Sequence, residues 1–289
     1  MPTSTSLIIK EALLRSATWL KEKGCEAARL DAELLLAHVL GLNRLGLYLN
    51  WDRPLAADEM DRYRDLLKRR AQHEPVAYII GQKEFFGLAF RVSPAVLIPR
   101  PETELLVERA IALAREADRA DPRAADVGVG SGAIAVTLAR EWPQGRVIAT
   151  DPSAAALEVA RANAETHGVA DRIEFRDSAF LDGVAGEVDL VVSNPPYVAR
   201  RDRAALPPDV GLFEPACALF GGEDGLDVIR GLIPRAAEKT RLGGWLVMEM
   251  GAGQADAVRQ LIAADGRYEP AETIRDHQGI ERVVSARRV

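Results

Sequence analysis

The residues that could do chemistry stand out first in Val191–Val198, VVSNPPYV. There a β-branched run ends in an amide, two prolines and a ring. Proline fixes φ near about −65° and has no N–H to donate, so two in succession make a stiff segment. That segment carries acceptors, the Asn194 side-chain oxygen and the Pro195 carbonyl. Two fixed acceptors suit the two hydrogens of a planar NH2 group. Such a nitrogen is a poor nucleophile because its lone pair is delocalised into a carbonyl or ring. As it attacks carbon it gains positive charge, which preorganised acceptors stabilise. Tyr197 can cover the planar group and hold it in line. Asn194, Pro195, Pro196 and Tyr197 are therefore candidate catalytic and substrate-binding residues. A strand followed by a proline-rich turn is the plain structural alternative, and only context separates the two.

The context lies upstream. Asp126–Gly132, DVGVGSG, offers Gly128, Val129, Gly130, Ser131 and Gly132 as a loop between a strand and a helix. Glycines let backbone approach a ligand closely, and open parallel sheets bind ligands beyond the carboxyl ends of their strands. Asp151 closes the next strand, where a carboxylate can accept both hydroxyls of a ribose. A dinucleotide fingerprint wants G-x-G-x-x-G, and here the third glycine comes one residue early. Loop and carboxylate together point to a nucleoside-containing cofactor. An electrophile that suits both halves of the site is the methyl group of S-adenosylmethionine, whose sulfonium leaves without protonation. The four His residues are dispersed and Cys25 and Cys217 stand far apart, so no metal site or disulfide framework is expected.

These residues need elements to position them. Beyond Asp121, strands are expected at Ala124–Val127, Arg146–Asp151, Arg172–Asp177, Val188–Asn194 and Trp245–Met250, with helices near 133–140, 154–167, 224–238 and 253–265. Alternation of this kind implies a parallel sheet covered on both faces. Runs near 268–275 and 280–287, joined by a short turn, close it with an antiparallel strand. Upstream, Ile9, Leu13, Ala17 and Leu20 share a helical face, DAELLLAHVLG (31–41) opens on Asp and ends on Gly, and a third helix runs from Ala57 to Ala71. Glu84–Ser93, with Gly87 between two aromatic-rich runs, reads as a hairpin. Pro101 suits the first turn of the helix after it.

Length and composition bound the rest. At 289 residues and 48% hydrophobic, the chain can bury a sizeable core in one large or two ordinary domains. A net charge of −6 argues against a general nucleic-acid binder. No apolar run reaches the ~20 residues of a spanning helix, and the N-terminus lacks a signal-peptide core. A cytoplasmic protein is expected.

The quoted motifs, with EPVAYIIG (74–81), EFFGLAFRVSPAVLIPRPETELLVE (84–108), EPACALFGGEDGLD (214–227) and GWLVMEMGAGQ (244–254), resemble the protein-(glutamine-N5) methyltransferases of the PrmC/HemK family over almost the whole chain. LIPRPETE and ALFGGEDGLD are the diagnostic ones, since NPPY occurs also in amino-methylases of adenine. The resemblance implies an α/β fold: a class I Rossmann-like methyltransferase domain, its seven-stranded sheet mostly parallel with the last strand antiparallel, behind a small all-helical domain. It divides the chain into a helical substrate-docking domain (1–75), a β-hairpin linker (76–100) and the methyltransferase domain (101–289). The implied substrate is the glutamine of the Gly-Gly-Gln motif in class 1 peptide-chain release factors, methylated on its side-chain amide nitrogen. S-adenosylmethionine would be the donor and S-adenosylhomocysteine the product.

The resemblance further implies that the cofactor lies against Gly128–Gly132 and Asp151, with contacts at Asp177, Ser178 and Asn194. Arg100, Pro101, Glu102 and Thr103 would border the glutamine entrance. Val129 replaces the family's usual Thr, and Ser178-Ala179-Phe180 replaces an aromatic after Asp177. A monomer without a metal, a membrane anchor or direct nucleic-acid binding is expected. The alternative from a different substrate class is an adenine-N6 methyltransferase of DNA or RNA; a third is a binding protein that retains the fold.

Overall fold

The computed structural model describes residues 7–116 and 121–289 of the chain. The expected ranges 1–75 and 101–289 thus include residues 1–6 and 117–120, which lie outside the described residues. The chain forms two compact units, one comprising Met1–Gly81 with Pro207–Phe213 and the other Gln82–Leu206 with Glu214–Val289.

The first unit is helical: α1 (Ile9–Glu22), α2 (Ala28–Leu40), α3 (Arg44–Leu49), α4 (Ala57–Ala71) and α5 (Val76–Ile80). Ile9, Leu13 and Leu20 of α1 pack with Leu35 and Leu36 of α2, Leu47 of α3 and Tyr63 and Leu67 of α4. Burying each such side chain contributes about 1.5–3 kcal/mol. One local expectation changes. Asp31 does not open α2, which begins three residues earlier; it is buried and accepts from Arg70 Nε at 2.7 Å. His38 is exposed on α2.

The second unit starts with the hairpin β1 (Gln82–Phe85) and β2 (Leu88–Arg91), followed by α6 (Thr103–Arg115). Phe86 N–H donates to Glu104 of α6 at 2.8 Å and pins the hairpin turn to that helix. Strands and helices then alternate as β3 (Arg123–Val127), α7 (Ala133–Glu141), β4 (Arg146–Asp151), α8 (Ala154–Thr166), β5 (Ile173–Asp177) and β6 (Val188–Ser193). The short α9 (Pro208–Phe213) and α10 (Ala216–Leu219) precede α11 (Asp227–Lys239), β7 (Thr240–Glu249), α12 (Ala255–Asp265), β8 (Glu272–Arg275) and β9 (Glu281–Arg287).

The seven-stranded sheet runs β5-β4-β3-β6-β7-β9-β8, and β9, the last strand, is antiparallel to both neighbours. Its strands read as continuous apolar runs because both faces are covered. Ala124, Leu190, Val192 and Val247 pack on the face that carries α6, α7 and α8. Ala125, Val191, Leu246 and Met248 pack on the face that carries α11 and α12. The expected architecture of seven strands, mostly parallel, with a helical N-terminal part is what the chain adopts. β7 starts five residues before the expected Trp245, across an irregularity in its pairing with β6.

Candidate active site

The strand order reverses between β3 and β6, so their carboxyl ends open a crevice where open α/β sheets bind ligands. The glycine loop follows β3 and Asn194 follows β6. Gly128 and Gly130 both have positive φ, +79° and +52°, a conformation that favours glycine. Two N–H groups of the loop, Gly128 and Val129, donate to Thr150 O at 2.9 and 3.0 Å, which ties the loop to β4.

Asp151 braces the same loop from the end of β4. One carboxylate oxygen accepts from Gly130 N–H at 3.0 Å and the other from Ser153 N–H at 2.9 Å. Each oxygen keeps a second lone pair for a further donor. Burial pushes the Asp151 carboxyl above its ordinary value and Asp177 adds to the rise, while the two N–H groups pull it back. Ser153, rather than Asp151, caps α8 by accepting from Ala156 N–H at 3.2 Å.

A cavity of about 410 Å³ occupies the crevice, a volume typical of small-molecule sites. Its wall brings together Gly128, Val129, Gly130, Ser131, Asp151, Asn194, Pro195, Pro196, Arg100 and Thr103. Gly132, Asp177, Ser178, Tyr197, Pro101 and Glu102 are not part of that wall. Beyond β5 the wall is made by Ala179 and Phe180. Pro101 and Glu102 form the turn that starts α6, with Thr103 N–H donating to Arg100 O at 3.1 Å. Arg100 itself pairs with buried Glu214 at 2.5 Å.

Asn194 is oriented by its neighbours. Its Nδ2 donates to Thr103 Oγ1 at 3.1 Å, and Oδ1 has no hydrogen-bond partner among the described residues. Thr103 Oγ1 in turn donates to Glu249 Oε2 at 2.7 Å, and Tyr197 OH donates to Glu249 Oε1 at 3.0 Å. Burial pushes the Glu249 carboxyl up; Thr103, Tyr197 and Arg282 pull it down, and Glu102 adds to the rise. Burial, with Glu249 beside it, also raises the Tyr197 phenol well above its ordinary value.

A second segment fixes the turn that follows. Val198 N–H donates to Leu219 O at 2.9 Å, and Gly221 N–H returns to Val198 O at 3.0 Å. Gly225, at φ +81°, lies so close that an added Cβ would stand 2.3 Å from Tyr197 O. The glycines of FGGEDG thus permit main chain to lie against main chain.

Sequence reasoning missed Glu249. Its signal was a lone carboxylate inside the apolar run Leu246–Met250 at the carboxyl end of a parallel strand. Of the stretch Ser178-Ala179-Phe180 after Asp177, Ala179 and Phe180 reach the cavity wall, and Cys217 of that wall had no comparable signal. Among the described residues, no cluster of His, Cys, Asp or Glu could hold a metal ion, and no helix is long and apolar enough to cross a membrane.

Comparison with known proteins agrees with this architecture. The PrmC N-terminal domain matches residues 11–81 and the methyltransferase small domain matches residues 102–206. The release factor glutamine methyltransferase of Geobacter sulfurreducens is 44% identical over 96% of this chain and 96% of its own length. That of Bradyrhizobium diazoefficiens is 43% identical over 99% of this chain and 96% of its own. Among solved structures, the 16S rRNA N2 G1207 methyltransferase of Thermus thermophilus, in complex with AdoMet and guanosine, superposes with a TM-score of 0.53 at 19% identity, covering 72% of this chain and 50% of that one. The fold is shared with that enzyme; identity over nearly the full length goes further, and the chain belongs to the release factor glutamine methyltransferase family.

Proposed function

We propose that the chain transfers a methyl group from S-adenosylmethionine to the N5 side-chain amide nitrogen of glutamine in the Gly-Gly-Gln motif of class 1 peptide-chain release factors, in the cytoplasm. One observation carries the reading: Asn194, at the switch point, commits its Nδ2 to Thr103 and keeps Oδ1 as an acceptor at the cavity wall. The names of the relatives supply the release factor and its glutamine.

The residues present fit the donor. The cavity has the volume, Asp151 keeps lone pairs for ribose hydroxyls, and the glycine loop brings backbone to the same wall. A related fold carries AdoMet in the Thermus thermophilus enzyme. When bound, the cofactor supplies an electrophilic methyl carbon on a sulfonium that leaves as a neutral thioether. Asn194 Oδ1 and the Pro195 carbonyl accept the two hydrogens of the glutamine amide and align its nitrogen. As the nitrogen gains positive charge these acceptors strengthen their hold, and its proton then passes to solvent. The prolines prevent the acceptors from reorganising. Tyr197 contributes by its anchorage to Glu249.

The proposed division of labour keeps residues 1–75 for docking the release factor, 76–100 as linker and 101–289 for chemistry. The match of residues 11–81 to the PrmC N-terminal domain supports the first part.

The test is incubation of the protein and cofactor with purified release factors, followed by peptide mass spectrometry. The expected result is one added CH2 on the glutamine of the Gly-Gly-Gln peptide. Asn194→Ala should lower kcat by about 10²–10³ and leave cofactor affinity in calorimetry within a few-fold. Methyl transfer to nucleic acid but not to a release factor, or full turnover by Asn194→Ala, overturns the reading.

A further inference from the structure

We propose that Glu249 is a positioning residue that sets which way the Asn194 amide faces, acting through the Thr103 hydroxyl. The inference rests on the function proposed above, because it explains how the acceptor for the glutamine amide is kept an acceptor.

Hydrogen placement decides which end of the amide faces the ligand. A side-chain amide has a donor end and an acceptor end of nearly equal shape, so packing alone does not choose between them. Thr103 has one hydroxyl hydrogen. Glu249 receives that hydrogen at 2.7 Å on Oε2 and the Tyr197 hydroxyl hydrogen at 3.0 Å on Oε1. Both Glu249 oxygens thus act as acceptors in these two contacts. With its hydrogen committed to Glu249, Thr103 Oγ1 can only accept from Asn194, which it does from Nδ2 at 3.1 Å. Oδ1 is then the end left for a ligand.

Reversing any link reverses the outcome. If Thr103 were free to donate to Asn194 Oδ1, the Asn194 NH2 would face the substrate NH2, donor against donor. Glu249 is 1% exposed and sits at the end of β7, beside Asn194 at the end of β6. Glu249 does not itself line the cavity, so its effect on the reaction passes through its two hydrogen-bond partners, Thr103 and Tyr197.

The experiment is a double-mutant cycle on the full chain with release factor as substrate. Thr103→Val removes the hydroxyl while keeping the shape, and Glu249→Gln keeps the shape while removing the obligatory double acceptor. Each should lower kcat by roughly 10-fold, less than the ~10²–10³ expected for loss of the acceptor itself, with cofactor affinity by calorimetry unchanged. The double variant should fall no further than the worse single one, because both act on one link. Thr103→Ser, which restores the hydroxyl, should recover most of the rate. Costs that multiply in the double variant, wild-type turnover by Glu249→Gln, or no recovery by Thr103→Ser would each overturn the assignment. Those outcomes leave the methyl transfer itself standing provided that Asn194→Ala remains impaired; an unimpaired Asn194→Ala removes both.

Discussion

Asp126 shows how much a single buried carboxyl under the glycine loop can say. Its Oδ2 accepts from Ala135 N–H at 3.0 Å near the start of α7, and Oδ1 has no hydrogen-bond partner among the described residues. Burial pushes its pKa from 3.8 up to about 7, with Asp151 adding to the rise and the Ala135 N–H pulling against it. The folded state therefore holds this proton more tightly than the unfolded state does. The resulting stability is fully present below the unfolded value and is lost as pH rises towards about 7, at about 1.4 kcal/mol per pH unit. Asp126→Asn mimics the protonated acid and has no such dependence. Urea unfolding between pH 4 and pH 8 should show the variant gaining on the wild type as pH rises. A difference that stays constant across the range means that Asp126 is ionised in the fold. Asp126 drew notice in the sequence only as the first letter of the loop motif. Nothing there distinguishes a carboxyl that faces a ligand from one that closes the floor beneath it.

Elements decide how far the site could be read in advance. The parallel strands were legible because two-sided burial leaves β-branched runs, as in Val188–Ser193, and because glycine or a carboxylate ends them. The short helices Arg44–Leu49, Val76–Ile80 and Pro208–Phe213 were not, since five or six residues carry too little periodicity to register. The partnership of Thr103, Asn194 and Glu249 was equally hidden: it joins a helix start and two strand ends that are 55 to 146 residues apart in sequence only through sheet order. The FGGEDG segment was legible as a motif but not as a strap laid along the Asn-Pro-Pro-Tyr turn. Gly225→Ala tests that contact. The left-handed backbone alone costs about 1–2 kcal/mol, and the added methyl meets Tyr197 O at 2.3 Å. Gly279, at φ +80° with open space around it, supplies the control. Both alanine variants should melt at lower temperature, and only Gly225→Ala should lose turnover, by more than about tenfold. Equal turnover in the two would dissociate the strap from the chemistry.

The whole chain is divided differently in space and in sequence. By sequence order Pro207–Phe213 falls between two stretches of the methyltransferase part, yet it clusters with the helical unit. Within that unit Arg70 is the ionic centre: its Nε donates to Asp31 at 2.7 Å, Nη1 to Glu74 O at 3.2 Å, and Nη2 stands 3.7 Å from Asp209 of α9. The Arg70 and Asp31 side chains are 8% and 9% exposed, so the pair has given up most of its hydration. Removing one partner of a buried pair strands the other charge, at about 3–5 kcal/mol, whereas replacing both by apolar groups is often neutral or better. Arg70→Met should therefore destabilise the helical unit, and Arg70→Met with Asp31→Leu should recover most of the loss. All of these Arg70 contacts lie within one unit, whereas the cavity lies in the other. Added S-adenosylmethionine should accordingly protect residues 82–206 from hydrogen exchange in Arg70→Met as well as it does in the wild type, while α2 and α4 exchange faster. Loss of that protection in the variant would show that the helical unit's own ion pair is needed to keep the cavity formed.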